Sequence, residues 1–203
     1  MKKIAITGVI GSGKSAVSSI LEKYGKYVIY TDKINKSLLC DANYIAKLAK
    51  IFPKAVKDGT VNKSLIRRQI LHNNAKRLAL NELSHKEIKQ RVEKIIDNFN
   101  GEEIFCEIPL IVESGMTEYF DEIWCVVSDR HIRIQRIMFR DDVSSCDASR
   151  IIDLQKTEEQ LIEMANVVIE NNGNLKELEE KVKKILADNL TNKADKQKPY
   201  VMA

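Results

Sequence analysis

Residues 8–15 read Gly8-Val9-Ile10-Gly11-Ser12-Gly13-Lys14-Ser15, which matches the pattern G-x-x-x-x-G-K-[ST]. A short apolar run precedes this segment at residues 3–7, and apolar residues at helical spacing follow it at 17–21. Glycines let the backbone wrap closely around phosphate groups, while successive N–H groups and the N-terminus of the next helix form a positive cradle. The segment therefore predicts a phosphate-binding loop between a strand and a helix, in a chain that binds a nucleoside triphosphate.

The loop also predicts roles for its polar side chains. Lys14 is expected to reach the β- and γ-phosphates, and the Ser15 hydroxyl is expected to ligate Mg²⁺. The predicted ATP contacts in this segment are Gly11, Ser12, Gly13, Lys14, Ser15 and Ala16.

The rest of the chain has the pattern of an α/β protein. Its 203 residues, 44% of them hydrophobic and 31% charged, suit one folded domain with insertions and exclude a disordered chain. Short apolar runs alternate with helical patterns, which predicts a mainly parallel sheet. The predicted strands lie near residues 3–7, 27–30, 104–108, 123–127 and 167–169. The polar end of the chain, residues 189–203, is predicted to be a flexible tail.

Charge is unevenly distributed along the chain. The net charge is only +4, but residues 63–100 contain nine Lys/Arg against four Asp/Glu. This local excess suggests an anionic ligand. A nucleic-acid-binding ATPase is the alternative of a different class, and the absence of aromatic residues interleaved with these charges argues against it.

The cysteines and the apolar segments indicate a compartment. Four cysteines occur without metal-binding spacing, and two of them, Cys106 and Cys125, lie in apolar runs. They are predicted to be reduced core thiols of a cytoplasmic protein. No apolar run approaches the roughly 18 residues of a membrane span, so no membrane partner is expected.

Motifs of the other large nucleotide-binding classes are missing. Asn192-Lys193-Ala194-Asp195 spells the guanine-reading N-K-x-D, but it lies in the polar tail with no apolar strand before it, and D-x-x-G does not occur. The chain is also short for a motor or transporter ATPase. A small kinase remains, which must hold a phosphoryl acceptor and exclude water from the transfer.

Further side chains suit such a kinase. Asp32 follows the second strand and either orients or deprotonates an attacking hydroxyl, or caps the next helix. Glu107 ends the third strand and either holds Mg²⁺ through water or is a solvated carboxylate. Arg133, Arg136 and Arg140 recur at helical spacing and either close over phosphate or form a solvated basic face.

Taken in order, several segments resemble the dephospho-coenzyme A kinase family. They are residues 6–21, with the phosphate loop; 28–34, like V-I-D-A-D-x-I; 80–85, like L-x-x-I-x-H-P; 107–113, like acidic-x-P-L-L-F-E; 135–141, like Q-x-x-R-L-x-x-R-D; 150–155, like R-x-x-x-Q; and 167–173, like the end of A-D-x-V-I-x-N-x-G. The chain departs from the family at Tyr30 and Thr31, which replace Asp-Ala, at Lys86, which replaces Pro, and at Asn166, which replaces Asp.

The resemblance implies a P-loop NTPase three-layer sandwich with a five-stranded parallel sheet of order 2-3-1-4-5. The implied nucleotide-binding core covers residues 1–60, 101–135 and 165–188. Residues 61–100 would be a helical acceptor-binding insertion and residues 136–164 a helical lid.

The resemblance also implies the reaction: the γ-phosphoryl of ATP passes to the ribose 3′-hydroxyl of dephospho-coenzyme A, the final step of coenzyme A synthesis. Asp32 would be the base, with Lys14 and Arg140 stabilising the transferring group. Arg136 and Asn172 would contact ATP, and Asn172 would lie near its adenine.

By the same resemblance, Ser15 would hold Mg²⁺ directly and Glu107 through water. Asp32, His85 and Lys89 would contact the acceptor, although a lone helical histidine is more often structural. The expected partners are ATP and dephospho-coenzyme A, without nucleic acid, in a monomer or weak homo-oligomer. Another P-loop kinase, acting on a nucleoside monophosphate or a small alcohol, is the alternative within the same class.

Overall fold

The computed structural model describes residues 1–57, 59–154, 158–191 and 200–202. Its residues group into two compact units. The first unit consists of Met1–Ile29 with Asn100–Ala203, and the second is Tyr30–Phe99. The second unit is therefore an insertion in the first.

In chain order, the strands are β1 (Lys2–Thr7), β2 (Val28–Tyr30), β3 (Val56–Lys57), β4 (Thr60–Val61), β5 (Glu103–Glu107), β6 (Glu122–Val127), β7 (Val167–Glu170) and β8 (Tyr200–Met202). The helices are α1 (Lys14–Lys23), α2 (Thr31–Leu38), α3 (Ala42–Ile51), α4 (Lys63–His72), α5 (Asn74–Asp97), α6 (Arg130–Asp141), α7 (Ser145–Asp153), α8 (Glu158–Met164) and α9 (Leu175–Thr191). No helix among the described residues is long and apolar enough to cross a lipid bilayer.

The main sheet has the order β2-β5-β1-β6-β7-β8. Parallel pairing joins β1 to β5 and to β6, and β7 to β6 and to β8. The five predicted strands correspond to β1, β2, β5, β6 and β7, so the predicted order 2-3-1-4-5 is confirmed.

The end of the chain differs from the predicted flexible tail at 189–203. Helix α9 continues to Thr191, and β8 adds a sixth strand beside β7. Pairing with a sheet edge orders such a segment despite its polar composition, because the backbone groups of the edge are satisfied. The other residues of the predicted tail, 192–199 and 203, lie outside the described residues.

Apolar side chains of the central strands form the core of the first unit. Phe105 on β5 and Trp124 on β6 are fully buried, and their rings meet edge to face with centroids 5.3 Å apart. They pack with apolar residues of β1, α1 and α9. Central parallel strands carry near-continuous apolar runs because both faces of the sheet are covered. The prediction that Cys106 and Cys125 are buried free thiols is confirmed.

The second unit has its own core under α2–α5 and the β3–β4 hairpin. The predicted nucleotide core extended to residue 60, whereas the second unit begins at Tyr30. The reason is packing: Leu38, Leu48 and Phe52 are buried together with Ile66 in one cluster. Asp58 lies outside the described residues.

The segment expected to be the lid comprises most of α6 with α7 and α8. Its later part contains two helices, α7 and α8. Ile137 on α6 packs with Ala148 and Ile152 on α7. Residues 155–157, between α7 and α8, lie outside the described residues.

Candidate functional site

The phosphate loop joins β1 to α1 and has a backbone that requires glycine. Gly8 and Gly13 have φ angles of +146° and +99°, which L side chains rarely adopt. A Cβ at Gly8 would overlap the carbonyl oxygen of Val126, and a Cβ at Gly13 would overlap the side-chain nitrogen of Asn171. The spacing of glycines in the motif thus reflects close contact with the strand and loop beside it.

Helix α1 begins directly after the phosphate loop. Gly13 is the N-cap and supplies no side-chain hydrogen bond to the first turn. The positive end of the helix dipole at this N-terminus suits a phosphate. Ser15 and Ala16 lie in this first turn, Ser15 exposed and Ala16 half-buried.

The Lys14 side chain folds back onto the backbone of the phosphate loop. Its ammonium Nζ donates hydrogen bonds to the carbonyl oxygens of Gly8, at 2.8 Å, and Val9, at 3.0 Å. The cation is therefore held at the loop by the loop's own backbone, where a bound phosphate would meet it.

Glu107, at the end of β5, faces α1. Its Oε1 accepts a hydrogen bond from the Ser15 hydroxyl at 2.9 Å, and its Oε2 accepts one from the Ser18 hydroxyl at 2.6 Å. Glu107 is only 7% exposed, so the alternative of a solvated strand-end carboxylate is wrong. Sequence reasoning missed Ser18, although its position three residues after Ser15 puts both hydroxyls on one helix face.

These oxygens fit a hard divalent cation. Mg²⁺ usually binds through one or two protein oxygens together with substrate phosphates and water. Ser15 and Glu107 offer a hydroxyl and a carboxylate side by side, next to the phosphate loop. Among the described residues no cluster of three or more His, Cys, Asp or Glu forms a self-sufficient metal site.

Arg136, on α6, contacts backbone carbonyl groups of the phosphate loop. Its Nη1 lies 3.2 Å from each of three acceptors, the carbonyl oxygens of Gly11 and Ser12 and the Ser128 hydroxyl, while its Nη2 donates to the Asn171 carbonyl at 2.9 Å. Burial lowers the pKa of this guanidinium.

The three arginines predicted to share a face have different environments. Arg133 is buried, and its Nη2 lies 3.9 Å from a carboxylate oxygen of Glu158. Arg140 is exposed and makes two hydrogen bonds, of 2.8 and 2.7 Å, to the neighbouring Asp141. The alternative of a solvated basic face is therefore wrong for Arg133 and Arg136.

Two consecutive asparagines follow β7 and do different things. Asn172, the residue predicted near adenine, accepts hydrogen bonds at its Oδ1 from the Ser128 hydroxyl and the Asp129 N–H. Asn171 is buried, and its Nδ2 donates to the Ser12 carbonyl at 2.8 Å. Sequence reasoning missed Asn171, yet the resembled motif A-D-x-V-I-x-N-x-G aligns its asparagine with this position.

Asp32 lies in the second unit, in the first turn of α2. The N-cap of this helix is Tyr30, so the alternative that Asp32 caps it is wrong. The carboxylate is exposed, and the neighbouring Lys33 ammonium lies over the Tyr30 ring at 3.8 Å. Asp32 is thus available to solvent and ligands.

His85 and Lys89 lie one turn apart on α5, also in the second unit. Both are half-buried, and side chains four residues apart share a helix face. The helix is anchored beside them by the Ser84 hydroxyl, 2.9 Å from the Tyr44 hydroxyl of α3. The structure thus brings these two predicted acceptor contacts together.

This chain is similar to known proteins in both sequence and fold. The model of the dephospho-CoA kinase family matches residues 2–177. The chain belongs to the dephospho-CoA kinase family. The dephospho-CoA kinase of Fusobacterium nucleatum is 32% identical over 183 residues, which cover 89% of this chain and 95% of that protein. The sequence-based resemblance is thereby confirmed.

Solved structures agree on the fold. The crystal structure of TT1252 from Thermus thermophilus has a TM-score of 0.78 and 30% identity, covering 92% of this chain and 97% of its own. A dephospho-CoA kinase from Campylobacter jejuni has a TM-score of 0.70 at 24% identity, covering 93% and 98%. The latter supports the fold alone, the P-loop kinase sandwich expected from the sequence.

Proposed function

We propose that this member of the dephospho-CoA kinase family transfers the γ-phosphoryl group of ATP to the ribose 3′-hydroxyl of dephospho-CoA, giving CoA and ADP, the final step of CoA biosynthesis. The observation that supports it best is the glycine-dependent phosphate loop with Ser15 hydrogen-bonded to Glu107. Residues 11–16 bind the triphosphate through backbone N–H groups and the end of α1. Asn172 contacts the nucleotide near its adenine.

Two cations on this chain stabilise the transferring phosphoryl group. Lys14 exchanges its hydrogen bonds to loop carbonyls for phosphate oxygens. Arg140 exchanges Asp141 for phosphate, a change of low cost because an exposed ion pair contributes little to stability. Arg136 acts at the triphosphate through the loop that its guanidinium holds.

The Ser15 hydroxyl would hold Mg²⁺ directly, and Glu107 would hold it through water. The chemistry that Mg²⁺ would supply there is neutralisation of the charge that develops on the phosphate oxygens. Ser18 holds the Glu107 carboxylate in its orientation by a 2.6 Å hydrogen bond. Glu107 in turn orients the Ser15 hydroxyl.

The acceptor side of the reaction depends on the second unit. Asp32 accepts the proton of the attacking ribose hydroxyl, which suits its exposed position in the first turn of α2. His85 and Lys89 contact dephospho-CoA, whose pyrophosphate suits the basic segment 63–100. Residues 136–164 act as the lid that excludes water. A cytoplasmic, monomeric or weakly oligomeric enzyme remains the expectation.

A coupled assay for ADP release tests this function. With Mg²⁺ and ATP, we expect ADP production that depends on dephospho-CoA, and no production with nucleoside monophosphates, shikimate or small alcohols. Lys14→Ala should lose both turnover and ATP affinity, and it is the control for a contaminating kinase. Phosphorylation of a nucleotide but not of dephospho-CoA would contradict the proposal and favour another P-loop kinase.

A further inference from the structure

We infer that Asn171 is a positioning residue for this reaction, because its buried side-chain amide sets the orientation of the Ser12–Gly13 peptide in the phosphate loop. The inference rests on the proposed triphosphate site and goes beyond it. It makes the loop after β7, which follows the phosphate loop by more than 150 residues, a determinant of nucleotide affinity.

Two donors from different elements converge on one carbonyl. Asn171 Nδ2 donates to the Ser12 oxygen at 2.8 Å, and Arg136 Nη1 lies 3.2 Å from the same oxygen. Asn171 is 5% exposed, so its amide competes with little water for this carbonyl. Without Asn171 the Ser12 carbonyl would keep only the longer contact to Arg136, and a hydrogen bond to a buried acceptor is costly to lose.

The peptide plane transmits this anchoring to the ligand side of the loop. In a planar trans peptide the C=O and the following N–H point in opposite directions. Holding the Ser12 carbonyl against Asn171 therefore turns the Gly13 N–H away from Asn171, where it can donate to a bound phosphate. Gly13 has a φ of +99°. Because glycine is conformationally permissive, its own backbone preference does not fix this orientation, and the hydrogen bond from Asn171 supplies the constraint.

The anchor itself is rigidly held. The Asn171 carbonyl accepts hydrogen bonds from Arg136 Nη2 at 2.9 Å and from the Ser128 hydroxyl at 2.9 Å, and its N–H donates to the Val127 carbonyl at 2.9 Å. Three hydrogen bonds thus tie its backbone carbonyl and N–H to β6, to Ser128 and to α6. A side chain whose backbone is fixed in this way can impose an orientation on a loop instead of following it.

Asn166 provides a matched control at the other end of the same strand. It precedes β7, and its Oδ1 accepts a hydrogen bond from the Ile123 N–H at 2.8 Å. Its backbone N–H also donates to the Ile123 carbonyl. Removing its side chain should destabilise the fold through the loss of one side-chain hydrogen bond, as in Asn171→Ala, but without a change in the phosphate loop.

The experiment compares Asn171→Ala, Asn171→Asp and Asn166→Ala with the wild type. Titration calorimetry with ADP and Mg²⁺ gives the dissociation constant, steady-state kinetics give the two KM values, and Trp124 fluorescence reports thermal unfolding. For Asn171→Ala we expect about a tenfold weaker binding of ADP and a similar rise in the KM for ATP. The KM of Asn171→Ala for dephospho-CoA should stay within about twofold of wild type. The affinity of Asn166→Ala for ADP should also stay within about twofold of wild type.

The aspartate variant separates positioning from space filling. It keeps the shape of asparagine but replaces the donor with a carboxylate oxygen against the Ser12 carbonyl, so its ADP binding should be at least as weak as that of Asn171→Ala. Near-normal ADP binding by Asn171→Asp, or equal losses in Asn166→Ala, would overturn the inference. If the aspartate variant does not fold, an Asn171→Ala dissociation constant within twofold of wild type overturns it.

The wild-type measurements keep this inference apart from the proposed function. Wild type that binds ADP but releases none from ATP in the presence of dephospho-CoA would refute the function and leave the positioning role intact.

Discussion

Replacing Gly8 with alanine should damage the first unit far more than the same change at Gly25. Both glycines have positive φ, +146° at Gly8 and +74° at Gly25. A Cβ at Gly25 would meet nothing within 4 Å, whereas a Cβ at Gly8 would lie much closer than 3.0 Å to the carbonyl oxygen of Val126. The two variants thus share backbone strain and differ in a steric clash with β6.

The magnitudes follow from these two terms. Left-handed strain alone costs about 1 kcal/mol for Gly25→Ala. Gly8→Ala adds overpacking against a backbone atom of a central strand, which cannot rotate away, for a total of about 4 kcal/mol. In a protein of this size, these costs correspond to falls in Tm of about 3 °C and about 10 °C.

Urea unfolding followed by tryptophan fluorescence measures the difference. Trp124 is the chain's single tryptophan, is fully buried, and lies on β6 two residues before Val126. Gly8→Ala should also lose ADP affinity, because relieving the clash moves the start of the phosphate loop, while Gly25→Ala should bind ADP normally. Equal destabilisation by the two substitutions would refute the steric reasoning.

Other predictions concern individual side chains. Asp32→Asn should lower kcat by orders of magnitude with little change in ADP affinity, and near-normal kcat would remove Asp32 as the base. Glu107→Gln should raise the Mg²⁺ concentration needed for half-maximal activity about tenfold, because the charge is lost while the shape is kept; an unchanged Mg²⁺ dependence would exclude Glu107 from the metal site. Burial raises the pKa of Glu158 above its usual 4.5, so its ionisation opposes folding despite the nearby Arg133. Wild type should therefore lose stability relative to Glu158→Gln as the pH rises above about 4.5, and parallel pH profiles of urea unfolding would contradict this.

Local signals in the chain were enough to predict the sheet and the phosphate loop. The five core strands are short apolar runs. The loop is a contiguous pattern whose glycines adopt positive φ angles. The strand order came from the family resemblance. The sixth strand was missed because its pairing with β7 depends on a distant edge and has no strong local pattern.

The residues around the loop show where local signals end. Arg136 and Arg133 are three positions apart on one helix, yet one bonds loop carbonyls and the other is buried near Glu158. Helical spacing predicts a shared face but not the depth of each side chain beneath neighbouring elements. Asn171 and Asn172 are adjacent and chemically identical, and only their positions after β7 separate the loop anchor from its neighbour.

The sequence by itself determined which chemical groups are available: a lysine, a serine and glycines in the spacing of a phosphate loop, with one carboxylate just after a strand and another at the end of a strand. The tertiary structure decided which groups act together. Ser15 and Glu107 are 92 positions apart, and Ser12 and Asn171 are 159 apart, yet each pair is joined by a hydrogen bond. Parallel strands bring their carboxyl ends to one edge of the sheet, and contacts made there depend on strand order, which no local pattern encodes.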